Sequence, residues 1–210
     1  MIISANSVTA MGGGVAANLR CPGCGQLGTF ELLLGNAQDL ALGTNIRIGE
    51  RRCPNINCRA LIFVVWQNNQ IIRSYPALRI DFDKTNIPAP VVSALEEAIV
   101  CHANECFIAA AIMVRKTLEE LCRERGAQGK DLKERIRDLG TKIVLPKELL
   151  DGLDDLRLLG NDAAHIESRE YDQVGKEEVE IGIEFTKEVL KATYQYSALL
   201  NRLRSLKKTP

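Results

Sequence analysis

Apolar and polar residues alternate in short runs over the first eighty positions, and from there to the C-terminus the apolar ones recur at three- and four-residue spacing. The chain therefore changes from strand character to helix character once. Residues 1–19 read as a flexible lead or as a first strand around Gly14 to Leu19, and Thr29 to Leu34 is a short strand. Asn45 to Arg51 alternates as a strand should, and Leu61 to Trp66 is β-branched and aromatic. Gln67 to Gln70 turns that strand, and Ile71 to Ile80 returns as its hairpin partner. A linker over residues 81–90 carries Pro88 and Pro90, which disfavour helix in the residues before them. Beyond it, helices are predicted over Val91–Ala103, Glu105–Arg125 (stopped by Gly126), Asp131–Leu139, Pro146–Leu159 and Glu177–Leu206, with Asn104 as a cap for the second. Gly160-Asn161 is expected to break the fourth helix. The fold class is α+β: a small β domain over residues 1–87, followed by an all-α bundle of about five helices over 88–210.

Charge narrows the function classes only slightly. The 27 Lys+Arg balance 27 Asp+Glu in 210 residues, so there is no global basic signal for nucleic acid. Residues 1–87 carry eight basic against five acidic side chains and residues 88–210 nineteen against twenty-two, a mildly basic front and a mildly acidic back. The longest apolar runs fall far short of the roughly 20 residues of a membrane span, and the N-terminus lacks the basic start and long apolar stretch of a signal peptide. Seven cysteines, an odd number, then point to a reducing cytosol, with metal or free thiols in place of disulfides.

Four of those cysteines form two pairs. Cys21-Pro22-Gly23-Cys24-Gly25 and Cys53-Pro54-Asn55-Ile56-Asn57-Cys58 each lie between predicted strands. Such knuckles at the ends of two hairpins are the pattern of a zinc ribbon, in which Cys21, Cys24, Cys53 and Cys58 hold one tetrahedral ion. Four thiolates leave no open position for water, so the expected zinc is structural. The 28 residues between the pairs exceed the usual ribbon separation and imply an elaborated loop. Cys101, Cys106 and Cys122 read as core cysteines, and His102 as an interfacial histidine. Around the second knuckle Arg47, Arg51, Arg52 and Arg59 accompany Trp66, a combination that suits RNA or DNA through phosphate contacts and stacking; alternation along the strand equally allows Trp66 to be buried.

Three stretches of the helical part carry a resemblance. Ala98 to Ala111 (AIVCHANECFIAAA), Arg115-Lys116-Thr117-Leu118-Glu119 and Leu156 to His165 (LRLLGNDAAH) are similar to the alanine-rich hairpin, the R-x-x-L-E helix and the R-x-x-G-N-x-x-A-H element of the domain of unknown function 4145 family, grouped with the HEPN superfamily of helical bundles. The resemblance implies a link to prokaryotic defence or nucleic-acid metabolism and a homodimer through the helices around the Arg157–His165 element. Many HEPN proteins are metal-independent ribonucleases, with a histidine as general acid/base and an arginine stabilising phosphorane charge. Their arginine and histidine are separated by four to six residues. Here that window before His165 holds Leu158, Leu159 and Gly160, and Arg157 lies just outside it.

Spacing places Arg157 on a line with Leu149 and Leu153, and Arg115 on a line with Ile112 and Glu119. Arginines on apolar stripes need partners: Glu119 is available to Arg115, and Asp154 and Asp155 to Arg157. Three readings follow. Arg115, Glu119, Arg157 and Asn161 form a polar network joining helices; or Arg115, Arg157, Asn161 and His165 hold a phosphate; or His165 and Arg157 are catalytic. The functions expected are a nucleic-acid-associated adaptor or regulatory protein, with a ribonuclease and a protein–protein module without nucleic acid as alternatives.

Overall fold

The computed structural model describes residues 7–33, 38–43, 45–162 and 174–206, with only the backbone for 158–162. The chain divides into two compact units, Met1–Asp81 and Phe82–Pro210. The first is an antiparallel β unit and the second is helical, so the class is α+β.

Seven strands make the β unit: β1 (Val8–Ala10), β2 (Ala17–Arg20), β3 (Leu27–Leu32), β4 (Leu40–Leu42), β5 (Ile46–Arg52), β6 (Leu61–Gln67) and β7 (Gln70–Tyr75). The sheet is organised on β5. Its full length pairs with β6, from Ile46 opposite Gln67 to Arg52 opposite Leu61. Its other edge takes two shorter partners, β4 with Leu40 opposite Ile48 and β3 with Glu31 opposite Arg52. β1 extends β4, and β2 extends β3. Side chains alternate across a strand, so Ile62, Val64 and Trp66 of β6 share a face and pack with Ala17, Leu19 and Phe30. β6 turns into β7 through Asn68 and Asn69 alone, both at positive φ (51° and 65°), the two-residue turn whose twist matches the strands. Strands β1 and β4 were not among the predicted elements. Each is three residues long and largely outside the core, too short for a periodic signal.

The helical unit contains α1 (Ala89–Ala103), α2 (Phe107–Glu124), α3 (Leu132–Lys142), α4 (Lys147–Asp162), α5 (Lys176–Leu190) and α6 (Tyr196–Leu206), with a π turn over Lys191–Gln195 between the last two. α1 and α2 form a tight hairpin; Ala98, Ala110 and Ala111 are fully buried, and their small side chains let the neighbouring backbones approach. Gly126, at φ 65°, follows the end of α2 as expected. Asn104 does not cap α2: it closes α1, donating from its side chain to the Val100 carbonyl at 2.8 Å, and Cys106 precedes α2 without a side-chain cap. Gly160-Asn161 does not break α4, which runs through both to Asp162. A glycine inside a helix costs roughly 0.5–1 kcal/mol, which weakens a helix without by itself ending it. The expected final helix is continuous in path but contains the π turn, where the Thr193 carbonyl accepts from Arg125 at 3.0 Å and the Arg125 guanidinium lies 4.2 Å from the Tyr194 ring centre. No helix among the described residues is long and apolar enough to cross a membrane.

Asp131 starts α3 by accepting the Glu134 backbone N–H at 2.8 Å, a bond that also holds its carboxyl below the usual carboxylate range. Asp131→Ala is expected to lower the melting temperature of the helical unit by a few degrees at neutral pH. Because the folded-state value is depressed, the cap acts fully above the unfolded carboxyl pKa and fades as pH falls through the folded one. The difference between Asp131→Ala and the parent protein should therefore shrink below about pH 4, as melts at several pH values would show.

Candidate metal centre and interhelical polar cluster

The turns after β2 and β5 place two cysteine pairs against each other. In the first, the Cys21 N–H donates to the Gln26 carbonyl at 2.9 Å and the Gly25 N–H to the Cys21 carbonyl at 2.8 Å, while Gly25 takes φ 74°. In the second, Cys53 and Ala60 are joined by a backbone bond of 2.9 Å, and Asn55 accepts from both Cys58 and Arg59 at 3.0 Å. All four Sγ atoms lie within 4.8 Å of one another. Cys21 and Cys58 are 3.8 Å apart across the two turns, and so are Cys24 and Cys53. A tetrahedral ion bound to sulfur at about 2.3 Å requires an edge of about 3.8 Å, so the cluster fits a four-coordinate metal ion. Donors reach the sulfurs as well: Gly23 N–H to Cys21 at 3.4 Å and the Asn55 side-chain amide to Cys24 at 3.6 Å. Such bonds favour the thiolate, and the Gln26 backbone N–H is the main reason that Cys24 is lowered to about 7. Burial instead pushes the Cys53 thiol up to about 12. The metal expected from the sequence thus has four converging ligands, and the 28-residue separation is absorbed by β3, β4 and β5.

The arginines around this cluster divide into two kinds. Arg51 is fully buried. Its Nη2 meets Asp39 Oδ2 at 2.7 Å, Nε and Nη2 donate to the Val15 carbonyl at 2.9 and 2.6 Å, Nη1 donates to the Glu50 carbonyl at 2.7 Å, and the guanidinium lies 4.6 Å from the Trp66 ring centre. Trp66 is itself only 3% exposed. The expectation of Arg51 and Trp66 at a nucleic-acid surface is therefore corrected: both are in the β core, Arg51 neutralised by a buried carboxylate and Trp66 packed in the direction that alternation allows. Arg52 and Arg47 are half-buried and Arg59 is exposed; Arg52 approaches Glu31 of β3 at 3.9 Å. Asp39 was missed from sequence. Its signal was that of an isolated acid in a loop, with nothing local to tie it to an arginine twelve positions away.

In the helical unit the structure brings together three of the expected polar residues. Arg115 Nε pairs with Glu119 at 3.4 Å, and Arg115 Nη1 reaches from α2 to the Arg157 carbonyl of α4 at 3.4 Å. The Arg157 Nε donates to Asp154 at 2.9 Å. Both guanidiniums thus have carboxylate partners on their own helices, and one also ties α2 to α4. Position 161 follows Arg157 by one turn of the same helix; the Asn161 side chain and His165 lie outside the residues whose side chains are described. Another half-buried polar contact, Arg125 with the π turn, has no sequence signal because a π turn has none.

A chain of this class, a four-cysteine β unit ahead of a helical unit, can be placed by its second half. Residues 96–208 match the family described as domain of unknown function (DUF4145), and the chain belongs to that family. No curated protein and no solved structure matches it.

Proposed function

We propose that the four-cysteine cluster is a zinc ribbon, that the helical unit is HEPN-like, and that the protein is a nucleic-acid-associated adaptor or regulatory protein of the prokaryotic defence type. The observation that carries this reading is the convergence of the four sulfurs with arginines placed directly beside the ligands. Arg20 precedes Cys21 and Arg52 precedes Cys53, each with an exposed carboxylate partner (Asp81 at 3.4 Å, Glu31 at 3.9 Å), and Arg59 follows Cys58 at φ 53° with its side chain exposed. Zinc in that cluster would supply rigidity and offset two of the four thiolate charges, with no coordination position left for a reacting water. The cations next to it would meet phosphates, which favours affinity over sequence readout.

A gel shift with RNA and with DNA at roughly 50 mM salt tests the proposal. The complex is expected to weaken as salt rises and to weaken several-fold in Arg47→Ala/Arg59→Ala, neither of which is a partner of the buried Arg51 guanidinium. Absence of a shift with either nucleic acid would leave the protein–protein module as the function. The ribonuclease reading has less support, since Arg157 is already engaged by Asp154. In the same incubations with EDTA, RNA is expected to stay at full length; cleavage lost in His165→Ala would restore the enzyme.

A further inference from the structure

Helix α6 has no buried residue. Tyr196, Leu199, Leu200, Leu203 and Leu206 are all exposed, with Leu206 at 75%, a row of large apolar side chains that a folded protein rarely leaves in water. Arg202 and Arg204 flank Leu203 and make no ion pair among the described residues. One half of a helical interface, apolar and basic, is therefore present on α6.

The complementary half is on α5. A groove of about 970 Å³ is lined by Leu149 of α4 and by Ile181 and Phe185 of α5, with four glutamates (Glu177, Glu180, Glu184 and Glu188) and one lysine, Lys176, around them. Ile181 is itself 62% exposed. Glu180–Glu184 and Glu184–Glu188 are spaced by four, where like charges repel; Lys187 and Lys191 offset Glu184 and Glu188 in part, at 2.7 and 3.5 Å, and Glu180 lies 3.9 Å from His102 of α1. An apolar floor with an acidic rim fits an apolar helix that carries arginines.

The two halves cannot meet within one chain. α5, the π turn and α6 form a continuous helix, so α6 points away from the groove on α5. Both lie on one side of that helix: at about 100° per residue, with the wider π turn adding about one residue, the line through Ile181, Glu184 and Glu188 continues into Tyr196, Leu200 and Leu203. The opposite side, with Val179, Ile183, Val189 and Leu190, is the buried one.

We propose that the α5–α6 helix pairs antiparallel with the same helix of a second copy of this chain, α6 of each copy occupying the acidic groove on α5 of the other. A two-fold axis near the π turn sets Ile181 against Leu203 and the Tyr196 ring along Glu188, and brings Arg204, at the edge of the same line, to the level of Glu180. The arrangement is self-complementary and closes at two chains. It goes beyond the proposed function and uses a surface other than the Arg157–His165 element.

Light scattering after size exclusion on the full chain is expected to give a dimer. Glu180→Arg/Glu184→Arg and Arg204→Glu should each be monomeric, because each sets like charges against each other at both ends. Mixed one to one, these two monomers should form a heterodimer, since the first offers arginines on both halves and the second glutamates on both. Helical circular dichroism and melting curves of the variants keep misfolding apart from dissociation. A monomeric parent protein, variants that remain dimeric, or folded variants that fail to associate on mixing would each overturn the proposal.

Discussion

Replacing Cys53 with alanine is expected to unfold the β unit, abolish bound metal and move Trp66 fluorescence to the red, with the helical circular dichroism largely kept. The reasoning is one of size and location. The β unit has a small core, and Cys21 and Cys53 are themselves part of it beside Ile62, Val64 and Trp66. Where metal ligands are also core residues, binding energy becomes folding energy, of the order of 10–16 kcal/mol for a structural zinc. Trp66 is the only tryptophan in the chain and is 3% exposed, so its emission reports on this unit alone. Chelation should reproduce the effect of the substitution, and metal analysis should find close to one ion per parent chain and none per variant. Unchanged emission and an unchanged urea midpoint in the metal-free protein would show that the sheet stands without the ion.

The second large effect is expected at Arg51. Removing one partner of a buried pair leaves the other charge unpaired in a low-dielectric surrounding, at a cost of about 3–5 kcal/mol. Arg51→Ala would strand the Asp39 carboxylate, also fully buried, and would vacate three backbone and side-chain acceptors at once. Urea unfolding followed at Trp66 should show the loss. The paired replacement Arg51→Met/Asp39→Leu should recover a large part of it, because an apolar pair of similar volume has no stranded charge. By contrast, Arg52→Ala removes only a 3.9 Å contact to an exposed glutamate and should cost below about 1 kcal/mol. If Arg51→Ala and Arg52→Ala proved equally mild, the buried pair would not be holding the sheet.

How much of this could be read from the chain depends on the range over which each residue acts. Helices α1 to α3 and strands β5 and β6 are specified by their own periodicity, and the cysteine cluster by two short motifs whose strands set them face to face. Asp39 and Arg51 belong to different parts of the sheet, and only the register of β4 on β5 brings them together; no local pattern records that. Arg51 shows the ambiguity plainly. An arginine on an alternating strand next to a tryptophan is the same string of letters whether its guanidinium faces phosphate or a buried carboxylate. For Arg115 and Arg157 local spacing sufficed, since Glu119 and Asp154 lie one turn away on the same helices. The break expected at Gly160-Asn161 is not found, because the cost of one glycine is small beside the helical turns that precede it and α4 runs through both residues to Asp162.

Gly49 links several of these features. A Cβ on that residue would lie 2.0 Å from Asp39 Oδ1 and 2.9 Å from Arg51 Nη1. The absence of a side chain at one point of β5 is what lets the carboxylate come in beneath the strand and meet the arginine. Positions 39, 49 and 51 are therefore not free to vary one at a time. A related chain with alanine at 49 should have lost the aspartate and the arginine together, and one that keeps the pair should keep the glycine. A triplet of that kind, scattered over thirteen positions, is a signature by which the β unit of this protein would be recognised in sequences whose cysteines have been lost.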